Sequence, residues 1–93
     1  MTKQRFASVW DAIEDTPEEA ENIKLRSSLM IALKKHVVGT GLSQAQIAKL
    51  LGVAQPPVSD LMRGRIEVFR LDALVNMVVA AGLRVKLSVR KAA

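Results

Sequence analysis

The fold is decided by residues Leu42 to Gly64, LSQAQIAKLLGVAQPPVSDLMRG. Ser43 is a helix cap, and Gln46 stands three residues on, the spacing of a capping box. Ile47, Ala48, Leu50 and Leu51 make one apolar helical face. Gly52 ends that helix, because glycine enters the left-handed region at little cost, and Val53 is expected to pack under the turn. A second short helix begins around Gln55 to Pro57 and ends at Met62 or Arg63, with Val58 and Leu61 turned inward. Its two prolines are tolerable in a first turn, where backbone N–H groups have no intrahelical acceptor. The residue before a proline avoids helical angles, so the start is expected a residue or two later than the pattern suggests. The stretch therefore predicts two short helices across a tight turn, with one polar edge left free.

Outward to the N-terminal side, Thr16-Pro17-Glu18-Glu19 reads as another helix start. That helix is predicted from Pro17 to about Val38, stopped by Gly39-Thr40-Gly41. Ile23, Met30, Leu33 and Val37 form its stripe, widened by Leu29 and Ile31. Before it, Val9, Trp10, Ala12 and Ile13 form a small apolar cluster, read as a single helical turn that lids the core with Trp10 as anchor.

On the other side, Ile66 to Phe69 reads as a loop plugged into the core by Phe69. A further helix follows from about Leu71 to Ala81, buried through Leu71, Leu74, Val75 and Val78, with Gly82 as its stop. The segment from Leu83 to Arg90 alternates strictly: Leu83, Val85, Leu87 and Val89 are apolar and the residues between them polar. A period of two is the signature of a half-buried strand. One strand cannot satisfy its own backbone groups, so it requires a partner. The economical partner is the same strand of a second copy across a two-fold axis. An extended tail, or pairing with residues before Trp10, are the alternatives.

The domain organisation is thus an arm over residues 1–15, a helical domain over 16–82 and a terminal strand over 83–93. The fold class is mainly α, a bundle of four to five helices with one C-terminal β-strand. With 93 residues there is room for a single core, and with three aromatics (Phe6, Trp10 and Phe69) that core is aliphatic.

Charge is unevenly spread. Residues 1–21 hold six acids and two bases, a net −4; residues 22–93 hold twelve bases and three acids, a net +9. These make up the formal +5 of the chain, and the basic body points to a polyanion as partner. Cysteine is absent, which removes disulfides and thiolate metal sites. His36 is the single histidine, without a carboxylate pair near it in sequence, so metal binding and acid–base catalysis lack material. The chain is expected to be a non-enzyme without cofactor or metal. It lacks an apolar leader or membrane span and is expected in the cytoplasm. Scarce aromatics disfavour the reading of unpaired RNA bases, which relies on stacking.

Counted from Gln44, the fifth residue is Ala48, the ninth Gly52 and the fifteenth Val58. Two helices that cross closely need a small residue, a turn-forming glycine and an apolar wedge in those places, and Leu51 and Leu61 fill the remaining interior. The segment resembles the lambda-repressor-like, Xre-type helix-turn-helix family. The resemblance runs well from Leu42 to Gly82, and the N-terminal cluster and LRVKLSVR are similar to a subgroup of small Xre-type proteins, many of them antitoxins.

The resemblance implies a sequence-specific regulator of double-stranded DNA, a repressor acting as a homodimer on an inverted repeat. Autoregulation of a toxin–antitoxin operon is a further implication. The alternative is an antitoxin whose main role is to neutralise a small ribonuclease-type toxin protein by direct contact. Gln44 and Gln55 fall on the paired glutamines of the family, and Gln55 heads the helix that enters the major groove. Physical chemistry agrees, since a glutamine amide can bond bidentately to adenine and helix starts attract phosphate. Ser59 is the next base reader, and Ser43, Lys49, Arg63 and Arg65 are expected at phosphates.

The chain departs from the family at two points. Ala54 replaces the usual Ser or Thr cap, and Pro56-Pro57 replace polar readers. Asp60 either accepts from a cytosine or pairs with Arg63 three residues on; the pair is the expected arrangement.

Overall fold

The computed structural model describes residues 16–91. The apolar turn around Trp10 lies outside the described residues. Helix α1 spans Pro17–Gly39. Thr16 caps it, its hydroxyl accepting from the Glu19 backbone N–H at 3.1 Å, and Pro17 takes the first position, where no donor is lost. At the other end Thr40 Oγ1 donates to the Val37 carbonyl, and Gly41 turns the chain away at φ +73°.

Helix α2 spans Gln44–Leu51 and helix α3 Gln55–Met62. A one-turn 3-10 helix covers Ile66–Val68, and helix α4 spans Leu71–Ala80. Helix α1 is the long scaffold: it packs against α4, α3 and the 3-10 turn, while α2 packs against α3 and α4.

Helices α2, α3 and α4 end in one way. A glycine at positive φ (Gly52, Gly64 or Gly82) is followed by a residue whose N–H returns to the last turn. Val53 bonds to Ala48 O at 3.0 Å, Arg65 to Asp60 O at 3.0 Å and Leu83 to Val78 O at 3.1 Å. These are Schellman closures, and they satisfy carbonyls that the helix ends would otherwise leave unpaired.

The core joins all the helices. Met30, Leu33 and Val37 come from α1, Ile47, Ala48 and Leu51 from α2, and Val58 and Leu61 from α3. Ile66, Phe69, Leu74, Met77, Val78 and Ala81 complete it. Phe69 plugs the loop as expected, and Val53 and Leu83 pack at the edge.

Four expectations need correction. Ile31 is 67% exposed and does not widen the α1 stripe; it lies about 100° around the helix from Met30. Leu50 stands at the solvent edge of α2 rather than in its buried face. Helix α3 starts at Gln55 and not later, because Pro56 and Pro57 fall where no N–H is needed. The C-terminal strand is not formed. Among the described residues no strand occurs, and residues 83–91 carry no regular secondary structure. A strand exists only through a ladder, and among the described residues Leu83, Val85, Leu87 and Val89 meet no neighbouring strand.

Candidate nucleic-acid interface

Ser43 and Gln46 complete the capping box at the start of α2. The Gln46 N–H donates to Ser43 Oγ at 3.2 Å, and the Ser43 N–H donates to Gln46 Oε1 at 2.9 Å. Ser43 is thereby fixed, and Gln44 follows as the first helical residue, exposed to solvent. Ala48 is buried against the facing helix, Gly52 makes the turn at φ +71°, and Val58 and Leu61 have no solvent exposure. These four residues fix the relation of α2 to α3.

That relation brings the two helix starts together. Gln44, Gln55, Pro56, Ser59, Asp60 and Arg63 line one shallow surface depression. Gln55 is exposed at the first position of α3, Ser59 is half-buried one turn on, and Arg63 closes the helix. Among the described residues no hydrogen bond joins Gln44 to Gln55. Lys49 is exposed on α2, outside the depression.

Helix α3 has no side-chain cap, because Ala54 carries none. Its first-turn N–H group at Gln55 is free for a ligand, while Pro56 and Pro57 have no donor to offer.

Asp60 does not pair with Arg63. It pairs with Arg65, whose Nη1 lies 3.7 Å from Asp60 Oδ1, while Arg65 Nε donates to Glu67 Oε2 at 3.3 Å. The left-handed Gly64 folds the chain back over α3, which carries Arg65 onto Asp60 and leaves Arg63 pointing out. A backbone hydrogen bond holds the Glu67 carboxyl below its usual range, opposed by desolvation and helped by Arg65. Arg65 is therefore shared between two carboxylates. Sequence spacing along a straight helix could not reveal this, because the pair forms across the glycine.

A second missed element is Arg26. From the middle of α1 its Nη1 donates to the carbonyls of Phe69 at 3.1 Å and Ile66 at 3.4 Å. The contact ties the turn after α3 to the scaffold across 40 and 43 residues of sequence.

Among the described residues no cluster of three metal-ligating side chains occurs, and no helix is long and apolar enough to cross a membrane.

A tightly crossed helix pair with a cap-free second helix, an exposed polar edge and a long supporting helix defines a helix-turn-helix domain. The comparisons with known proteins agree. A family model described as "Helix-turn-helix domain" matches residues 12–90. A solved structure bearing the name "Putative XRE Family Transcriptional Regulator" is similar with a TM-score of 0.73 and 32% identity, covering 80% of this chain and 83% of that chain. No curated protein matches the chain in sequence. The chain belongs to the Xre-type helix-turn-helix family.

Proposed function

We propose that the chain is a sequence-specific DNA-binding transcriptional regulator, acting as a homodimeric repressor on an inverted repeat in the cytoplasm. The observation that carries this reading is the shared depression that joins Gln44 and Gln55, at the starts of α2 and α3, to Ser59 and Arg63 further along α3. Gln55 reads a base edge in the major groove, Gln44 braces it against a base or phosphate, and Ser59 reads a neighbouring position. Ser43, Lys49, Arg63 and Arg65 hold phosphates, which sets register without specifying sequence. Leu83, Val85, Leu87 and Val89 form the dimer strand. Selection from random duplex DNA tests the reading: an enriched two-fold motif supports it, and recovery of unrelated sequences contradicts it.

A second role is favoured by the segregation of charge, net −4 over residues 1–21 against net +9 over the remainder. This acidic stretch, the arm together with the first turns of α1, is suited to cover the basic surface of a small mRNA-cleaving toxin. The two roles combine in a protein that neutralises such a toxin and represses the operon encoding both. Co-purification with the product of an adjacent gene, lost on removing residues 1–15, supports this role. Co-purification that survives the deletion contradicts the assignment to the arm.

A further inference from the structure

The chain leaves α4 through Gly82, and Leu83 remains packed at the edge of the core. Beyond it Val85 is 38% exposed, Leu87 77% and Val89 86%. Among the described residues no backbone hydrogen bond engages residues 84–91. The other side of the segment carries Arg84, Lys86, Ser88 and Arg90. Apolar side chains in water, unpaired backbone groups and three like charges on the opposite side together constrain any self-pairing.

We infer that two copies pair these segments antiparallel about a two-fold axis through Lys86. Val85 then faces the partner's Leu87, and Leu83 faces the partner's Val89. The inference rests on the homodimer reading above and specifies its register.

The register follows from counting. In a two-fold antiparallel pair the numbers of facing residues have a constant sum. Facing side chains lie on the same side of the sheet, so an even sum keeps all apolar residues together. Centring on Val85 sets Arg84 against Lys86 twice and leaves Val89 beyond the pairing. Centring on Leu87 sets Arg84 against Arg90 twice and places Leu83 opposite Lys91. Centring on Ser88 sets Lys86 against Arg90 twice and places Val85 opposite Lys91. Centring on Lys86 matches all four apolar residues with one another and sets both arginines at 84 against Ser88. Its only facing like charges are the two copies of Lys86. Directly opposed like charges destabilise a ladder, so this register wins on both counts.

A surface groove supports it. Ala32, Lys35, His36, Gly39 and Thr40 at the end of α1 form with Leu83 a groove whose exposed surface is largely apolar. In the Lys86-centred register the residue opposite Leu83 is the partner's Val89, which arrives beside this groove. A two-stranded ribbon is marginal alone and needs such a surface to lie on.

The chain has no cysteine, so single-cysteine variants report the register cleanly. The two copies of residue 86 face each other with Cα atoms about 4.5–5.5 Å apart, within disulfide range. The two copies of residue 85, 87 or 88 are offset along the strand by two residues or more. That puts them at least about 8 Å apart, out of range. Lys86→Cys, Val85→Cys, Leu87→Cys and Ser88→Cys are oxidised and run on non-reducing gels, with circular dichroism and sedimentation on each. The expected result is a covalent dimer of K86C formed at least about tenfold faster than that of the other single variants. An equimolar mixture of V85C and L87C is expected to cross-link between unlike chains. Fastest cross-linking of V85C, L87C or S88C overturns the register. Absence of cross-linking in folded variants that still sediment as dimers overturns strand pairing and leaves the homodimer reading standing. Monomers of the unmodified chain overturn both.

Discussion

Arg65 is tied to Asp60 twice: its backbone N–H donates to the Asp60 carbonyl at 3.0 Å, and its guanidinium lies 3.7 Å from the Asp60 carboxylate. The carboxylate faces this arginine from the last turn of α3, and Asp60 also lines the depression shared by Gln44 and Gln55. In DNA binding it acts as a like charge near phosphate and a competitor for Arg65. Asp60→Asn is therefore expected to strengthen binding by about two- to five-fold, the scale of one exposed ion pair, without changing base preference. Quantitative gel shifts on matched and single-base-changed duplexes check this. Loss of preference at one position would instead make Asp60 a base reader.

Arg26 joins α1 to the turn after α3 through the carbonyls of Phe69 and Ile66. Its Nε is buried without a hydrogen-bond partner, so the side chain accepts a desolvation cost to make those two bonds. Arg26→Met keeps the packing of the stem and removes the donors. The expected loss is about 1.5–3 kcal/mol of stability, the range for hydrogen bonds from a charged group. Urea denaturation measures it; an unchanged midpoint would show the clamp to be unnecessary.

Gly52 turns α2 into α3 at φ +71°, and a Cβ there would meet nothing within 4 Å. Space is available, so the cost of Gly52→Ala is conformational alone, about 1–2 kcal/mol. Thermal unfolding is expected to show that loss while the affinity of the folded fraction for DNA stays near normal. A large loss of affinity at full folding would mean that the turn itself touches DNA.

Gln55 and Arg63 share the depression but have different parts to play. Gln55→Ala should flatten base preference at one position per half-site, at a cost of about 1–3 kcal/mol on the preferred site. Arg63→Gln should weaken binding to all sequences alike. It should also reduce the slope of log K against log salt by about 0.9 for each phosphate no longer neutralised. Salt titrations of both variants on preferred and unrelated duplexes separate the two effects. An exchange of the two behaviours would reverse the assignments.

The helical frame was readable in the sequence because its signals are local. Ser43 with Gln46, Thr16 with Pro17, and the glycines at 52 and 82 each mark an end within a few residues. Ala48, Gly52 and Val58 identify the crossed pair by spacing alone. What escaped was set by tertiary geometry. Asp60 finds Arg65 only because Gly64 reverses the chain. Arg26 finds partners 40 and 43 residues away. The buried stripe of the last helix is Leu74, Met77, Val78 and Ala81, in helical spacing, whereas Leu71 and Val75, expected in it, are half-buried; Ile66 is buried from a 3-10 turn, where no helical period runs. The alternation from Leu83 to Val89 is real as a pattern, but the ladder it anticipates needs a second strand, and none occurs among the described residues. In the depression, the exposed glutamines were legible by position, whereas its extent to Arg63 and Asp60 depended on how α3 ends.

The central claim is that the edge formed by Gln44, Gln55 and Ser59 reads duplex DNA as one half of a two-fold pair. The most direct measurement is binding-site selection from random duplex DNA with the full chain, its stoichiometry on the selected duplex determined by sedimentation. The account predicts an inverted repeat with half-site centres about 10 bp apart, or a multiple of that spacing, bound by two chains. An enriched motif without two-fold symmetry, a single chain bound per site, or no enrichment over random sequence would contradict it.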